Sequence, residues 1–476
     1  MILNKFKFRL TKNSCCRVKK YSAYRFLIDG VVPQWVMSRA MHSSPRTFVL
    51  CFVLLPLLMC FARCSSPDHS ASQERSVTPQ DVKRPMLAVA DILGDSNYLA
   101  IAYGGYRMHS RDIQPSVEEI KEDLLILHTL GVRMVRTYNV HLPHAENVLR
   151  AISELREENS AFEMYVMLGA WIDCLNAWTE MTPQHDEESP RNAVEMAEAM
   201  RLVNAYPDIV KVLAVGNESM IRWAAAYYVT PDIILRWVNH AQQAKKDGLL
   251  PADLWITCSD NFAAWGGEAQ YHSDTLEALI NAVDYVSVHV YPMHDTHYNP
   301  SFWGLPDSLR DLDSVAQINH LMEGALAKAK EQYEAVQDYI QSLGIEKDVH
   351  IGETGWASSS DGFYGVEGSL ACDEYKSGLY YRGIRDWTND SSITCFYFEA
   401  FDEPWKQAAN PFDAENHFGL ITVDGQIKYA LWDAFEVLSS DSIKRGDYSL
   451  RKTYGGDTLS LLEQVRIPYT RISPSQ

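Results

Sequence analysis

Glu218 and Glu353 are the side chains of this chain best placed to do chemistry. Glu218 closes the apolar run Val212-Leu213-Ala214-Val215-Gly216-Asn217, and Glu353 closes Val349-His350-Ile351-Gly352, with Thr354-Gly355-Trp356 directly behind it. A short apolar run that ends on a carboxylate has the look of a buried parallel strand. In an eight-stranded α/β barrel the C-terminal tips of such strands face the reaction. Either glutamate alone reads equally well as a polar residue opening a loop. Two such tips in one chain, with aromatic residues beside them, supply one acid/base and one nucleophile. That is the pair a retaining displacement at a sugar carbon requires.

The elements that must position the pair recur along the chain. Strand-like runs cover Tyr98–Gly104, Met134–Asn139, Glu163–Trp171, Val212–Glu218, Leu254–Asp260, Tyr285–Tyr291, Val349–Glu353 and Thr394–Phe401. Helical patterns separate them, among them Val117–Leu130, Pro143–Arg156, Ile233–Lys246, Val315–Ser342 and Tyr375–Trp387, with Ala430–Leu438 as a last helix. Strands alternating with helices predict a parallel sheet with crossover helices. Eight units predict a single (β/α)8 TIM barrel over residues 86–440, with Glu218 after strand four and Glu353 after strand seven. No G-x-G-x-x-G follows the first strand, so a dinucleotide-binding sheet lacks its phosphate turn. Long loops at Asp173–Ser189 and Pro292–Ser314 are expected to shape the cleft, and residues 441–476 form a polar C-terminal extension.

Charge is divided unevenly. Residues 1–64 hold eleven Lys/Arg and one acid, Asp29, leaving 32 basic and 61 acidic residues in the remainder, a net of −29. Such a body repels nucleic acid and anionic membranes and suits a neutral partner. Within the leader, Phe48 to Ala62 is an apolar run of fifteen residues, short of the ~20 that span a bilayer comfortably. Counted from Met37 or Met41 it has the anatomy of a secretory signal, and the residues ahead are read as preceding the true start. If they are retained, the run becomes a signal-anchor, so the protein is expected to be exported, with membrane attachment only through this leader. Residues 65–85, rich in Ser, Pro and Gln, read as a flexible tether. Five of the nine cysteines lie in the leader; Cys174, Cys258, Cys372 and Cys395 form no C-x-x-C pair, and the fifteen histidines show no H-E-x-x-H spacing. No metal or cofactor is expected.

Three blocks then carry a resemblance. Val215-Gly216-Asn217-Glu218, Gly352-Glu353-Thr354-Gly355-Trp356 and Phe398-Glu399-Ala400-Phe401-Asp402-Glu403-Pro404-Trp405-Lys406 resemble the markers of glycoside hydrolase family 17, in its microbial form. Glu415-Asn416-His417-Phe418-Gly419-Leu420 is similar to the segment after strand eight of that β-1,3-glucanase family, and the likeness runs over residues 98–438. It implies that Glu218 is the acid/base and Glu353 the nucleophile, with the carboxyl groups about 5–5.5 Å apart. It implies that Asn217 meets the sugar 2-hydroxyl and that Tyr291 bonds the nucleophile. Glu403, Lys406 and Glu415 match a charged cluster beside the pair, for which a structural ion network is the competing reading. Tyr138 and Asn139, in an Arg-x-Tyr element at Arg136, and Tyr103 are expected to line the mouth, and Trp356 and Trp405 to stack on sugar rings. Where plant members often carry Asn, this chain has His289.

The expectation is therefore an exported monomer that cleaves β-1,3-glucan of the laminarin type with retention, in endo fashion, without a cofactor. A transglycosylase uses the same intermediate and differs only in its acceptor. A surface glycan-binding protein on a decayed barrel has no use for both glutamates.

Overall fold

The computed structural model describes residues 87–299, 301–439 and 443–468. The expected leader (1–64) and tether (65–85) lie outside them. Eight parallel strands close into a barrel: β1 (Leu99–Ala102), β2 (Val132–Arg136), β3 (Tyr165–Ala170), β4 (Val210–Asn217), β5 (Trp255–Asn261), β6 (Val286–His289), β7 (Val349–Thr354) and β8 (Cys395–Tyr397). Each pairs with its neighbours in sequence and β8 returns to β1, so no edge is left to aggregate.

Helices return the chain between strands: α1 (Val117–Thr129), α2 (His144–Glu158), α3 (Arg191–Ala205), α4 (Pro231–Lys246), α5 (Asp274–Ala282), α6 (Pro292–Tyr298), α7 (Ser314–Ser342) and α8 (Glu374–Asp390). Their starts are written locally. Ser116 accepts from the Glu119 amide while the Glu119 carboxylate reaches back to Ser116, a reciprocal capping box that opens α1. Pro231 opens α4, where its missing N–H costs nothing. The stretch expected to be the loop 292–314 contains α6, and a two-stranded antiparallel flap (Cys174–Leu175 with Gln184–Glu188) fills the loop after β3. The expected last helix is a 3-10 segment, Tyr429–Ala434, that runs into one α turn, Phe435–Leu438.

Alternation sorts the strand residues. One phase, including Ile101, Val135, Val166 and Leu213, packs under the helices in the main core. The other phase, Ala100, Met134, Met167, Val212, Ala214, Tyr285 and Phe396, fills the lower barrel, where Val89, Ile92 and Leu93 pack against it. Truncating such a side chain to alanine costs about 2–5 kcal/mol. Above this dry floor the inward layer turns polar at Arg136, Ser259, Ser287 and His289, all fully buried.

Residues 443–468 have no core of their own and use the barrel's. Buried Arg445 donates to Asp123 of α1 at 2.9 Å, and Leu450 and Leu461 join the main core. Among the described residues no helix is long and apolar enough to cross a membrane.

Candidate active site

Both glutamates stand just past a bulge that breaks strand alternation. Ala214 pairs with Thr257 and Asn217 with Ser259, three steps on β4 against two on β5. On β7, Ile351 pairs with Val288 and Glu353 with His289, two steps against one. An inserted residue turns the following side chain to the other face. Each bulge is built on glycine. Gly216 has φ +86°, and a Cβ on Gly352 would lie 2.2 Å from Ser287 Oγ and 2.3 Å from Ser259 Oγ. Glu218 itself is a non-glycine residue with φ +45°, a conformation that persists only where its surroundings hold it.

Arg136 and His289 tie the two tips together. The Arg136 guanidinium donates to Glu353 Oε1 at 3.0 Å, to the Gly352 carbonyl at 2.6 Å and to Asn217 Oδ1 at 2.6 Å. With its oxygen taken, Asn217 has only its amide N–H groups to offer outward. His289 Nδ1 lies 3.2 Å from Glu218 Oε1 and 3.8 Å from Glu353 Oε2. The nearest oxygens of the two carboxyl groups are therefore no more than about 7 Å apart, bridged by one imidazole. The second nitrogen, Nε2, faces both Arg136 and Ser259 Oγ, at 3.2 and 2.8 Å. Arg136 can only donate, so the tautomer that suits this contact has Nε2 as acceptor and the proton on Nδ1.

The surroundings drive the two carboxyl groups apart. Burial raises Glu218 well above the usual range, and the negative charges of Glu353, Asp260 and Glu415 push it further against the pull of Arg136. Burial acts on Glu353 in the same sense but is outweighed, and its pKa falls: His289 and Arg136 attract the anion, and the tyrosines Tyr291 and Tyr138 stabilise it. Burial drops His289 to about 3. Near neutrality it is uncharged, which leaves Arg136 and the hydroxyls to keep Glu353 ionised. Tyr291 donates to Glu353 Oε2 at 2.9 Å. The buried Tyr138 hydroxyl favours the same anion without a hydrogen bond of ordinary geometry.

A second charged group adjoins the first across Phe398. Lys406 Nζ lies 3.8 Å over the Phe398 ring, 3.2 Å from Glu399 Oε1 and 3.7 Å from Glu403 Oε2. Burial alone would lower Lys406; the three acids Glu399, Glu403 and Glu415 reverse that and raise it. Glu403 also accepts from the Tyr106 amide and from Trp405 Nε1 at 3.1 Å, which orients the half-buried Trp405 ring. Glu415 is raised by burial and by the charges of Asp413 and Glu353, opposed by Lys406. Glu399, raised well above its usual range by burial and Glu403, is a further buried acid of this group.

The structure thus gathers Asn217, Glu218, Tyr291, Tyr138 and Glu353 around Arg136 and His289, and Glu403, Trp405, Lys406 and Glu415 beside them. Asn139 is buried at the tip of β2, its Oδ1 without a hydrogen-bond partner. Two expected contacts are placed elsewhere. Tyr103 points out of the barrel in the same phase as Ile101, is fully buried and donates to Asp123 of α1 at 3.2 Å. Trp356 is also fully buried, its Nε1 donating to the Ala371 carbonyl at 2.9 Å between Trp303 and Tyr380. Neither ring offers a face to a ligand. Strand-tip reasoning does not reach Arg136 or Asp260, although an arginine on the inward phase of an apolar strand is a readable signal.

The chain matches known proteins along the barrel. The model of the BtgE/BtgC glycoside hydrolase domain matches residues 100–419. A protein of Aspergillus niger named for glucan endo-1,3-beta-glucosidase (btgC) is 24% identical over 307 residues, which are 62% of this chain and 37% of the relative. A glucan 1,3-beta-glucosidase of Arthroderma benhamiae is 25% identical over 279 residues, 56% of this chain and 70% of the relative. The chain spans little more than a third of the length of the btgC proteins it matches. The crystal structure of an endo-laminarinase from Formosa Hel1_33_131 superposes with a TM-score of 0.79 at 55% identity, over 82% of this chain and 100% of that one. Most of the barrel lies within the matched segment, both strand-tip glutamates included, and the chain belongs to the BtgE/BtgC glycoside hydrolase family.

Proposed function

We propose that this chain is an endo-acting, retaining glycoside hydrolase that cleaves β-1,3-glucosidic bonds in laminarin-like glucans. The observation that carries the reading is the split of one buried glutamate pair into a raised Glu218 and a lowered Glu353 around a shared imidazole. Linkage and polymer class are supported by the endo-laminarinase, whose whole chain is covered at 55% identity.

In the first step the Glu353 carboxylate attacks the anomeric carbon as Glu218 gives its proton to the glycosidic oxygen. The C–O bond breaks and the shortened chain leaves as an alcohol. In the second step Glu218, now a carboxylate, takes a proton from water, whose oxygen displaces Glu353 and restores the original configuration. Asn217 presents its amide N–H groups to the sugar 2-hydroxyl, and Tyr291 steadies the nucleophile. Glu403, Lys406, Glu415 and Trp405 bind neighbouring sugar units, with Tyr138 and Asn139 at the rim. The basic, apolar leader supports export of an acidic monomeric body, attached to a membrane only where that leader persists.

The test is a laminarin time course followed by NMR. β-Anomers of shorter oligosaccharides should appear first. An initial α-anomer rejects retention, and products longer than a reduced laminari-oligosaccharide substrate replace hydrolysis with transfer.

A further inference from the structure

We propose that Asp260 is a positioning residue that holds Glu218 in its acid/base pose, an inference that rests on the role given to Glu218 above. Asp260 follows the inward Ser259 on β5 and so falls on the outward phase, fully buried. Its carboxylate reaches across to the neighbouring strand tip. Oδ2 accepts from the Met220 amide at 2.7 Å, and Oδ1 accepts from the Asn261 amide at 2.8 Å. The Glu218 amide donates to the Ser259 carbonyl at 3.0 Å, so residues 218–220 are fastened to β5 at two points.

That fastening has a specific burden. Glu218 has φ +45°, disfavoured for a side chain with a Cβ, and the turn begins at the Gly216 bulge. The strain of holding a residue there is set against a hydrogen bond to a buried charged acceptor. The two are of the same size, so loss of the Asp260 acceptor is enough to let the turn relax. It would also strand a buried Met220 N–H. Glu353, by contrast, is held by hydrogen bonds from Arg136 and Tyr291 and meets Asp260 through charge.

Asp260 acts on Glu218 through charge as well. Glu218 is faced by Glu353, Asp260 and Glu415 as acids, by Arg136 as a cation and by His289 as a neutral ring. Burial lifts Asp260 itself to about 7, helped by the charge of Glu353 and opposed by the backbone donors of Met220, Asn261 and Ser219. It is therefore partly ionised where Glu218 must stay protonated, and its negative charge keeps the Glu218 proton on.

The experiment compares Asp260→Ala and Asp260→Asn in the full-length enzyme on laminarin and on a dinitrophenyl β-laminaribioside, whose leaving group needs no proton. Asp260→Ala should lose roughly 10–100-fold in kcat on laminarin, within the span of a misplaced general acid, and little of its glycosylation rate on the aryl substrate. The basic limb of the kcat/KM profile should move to lower pH. Asp260→Asn, which keeps one oxygen for the Met220 amide, should recover part of the loss, and it carries the test if the alanine variant does not fold. Equal losses on both substrates, or an unmoved basic limb, overturn the proposal. Glu218→Ala is run beside them: if it shows no dependence on leaving group, the acid/base assignment fails first.

Discussion

The tips of β4 and β7 start from the same design and end as chemical opposites. Each is an apolar strand with a glycine bulge and a glutamate just beyond it, and both carboxyl groups are largely withdrawn from water, with 17% of the Glu218 side chain and 8% of the Glu353 side chain exposed. What differs is the company. Glu353 is held by a guanidinium and a tyrosine hydroxyl, all donors that favour its anion. Glu218 has one neutral imidazole at 3.2 Å and a ring of acids behind it. Burial by itself pushes both upward, so exposure does not distinguish them; the donors and charges placed around them do. One motif, used twice, thus gives an acid and an anion because the barrel is asymmetric around it.

The most severe break is removal of the proposed nucleophile. Glu353→Gln should abolish turnover of laminarin by several orders of magnitude while oligosaccharide binding stays within about tenfold, because the covalent step is lost and binding contacts remain. With Glu353→Ala, azide should restore turnover and give a glycosyl azide of inverted configuration. Either variant should also lower the Glu218 pKa, by removing the charge of Glu353, and carbon-detected NMR of the Glu218 carboxyl would read it. A Glu218 that titrates unchanged would mean the two tips are not coupled.

Removing the proposed acid should cost less and do so selectively. Glu218→Ala should lower laminarin hydrolysis by roughly 10²–10⁴, the usual contribution of a general acid. Glycosylation by a dinitrophenyl β-laminaribioside should change little. Equal losses on both substrates would hand the proton to another carboxyl.

How much of this was legible depends on whether a signal is local. The strand tips, their glutamates, Asn217 and Tyr291 are short words in the sequence, and alternation of strands and helices gave the barrel. Side-chain direction was harder. Tyr103 follows the outward phase of Ile101 into the helix layer, and Trp356 lies beyond the β7 bulge, where counting by twos no longer tells in from out. Arg136 reads as one more charge until β2 and β7 face each other across the barrel, joining residues 217 positions apart. Asp260 has the same difficulty, since its partner is an amide and leaves no trace in residue type. α6 was read as loop because its seven residues carry no apolar stripe.

The comparison sharpens when the donors around Glu353 are removed one at a time. Arg136→Met takes away a positive charge that lowers Glu353, so its pKa should rise. The acidic limb of kcat/KM requires Glu353 ionised and should therefore move to higher pH. Glu218 should rise as well, because Arg136 also lowers it, and the basic limb should follow in the same direction. The limbs are macroscopic values of a coupled pair, so the profile should shift as a whole rather than narrow. A profile that moves to lower pH would refute the electrostatic reading.

Tyr291→Phe should have the smallest effect, and it isolates one hydrogen bond. The hydroxyl donates to Glu353 Oε2 at 2.9 Å, while Arg136 and the other oxygen are untouched. A hydrogen bond to a charged group is worth about 1.5–3 kcal/mol, or roughly 10–100-fold in rate if it is lost only in the transition state. Ground-state stabilisation of the anion offsets part of that, because a less stabilised carboxylate is also a better nucleophile. The expected result is therefore a fall in kcat nearer the tenfold end, with the acidic limb moved up and the basic limb shifted far less. That pattern separates Tyr291 from Arg136, whose removal moves both limbs. If Tyr291→Phe shifts the basic limb as much as the acidic one, the hydroxyl serves Glu218 as well, and the division between the two tips is less sharp than their hydrogen bonds indicate.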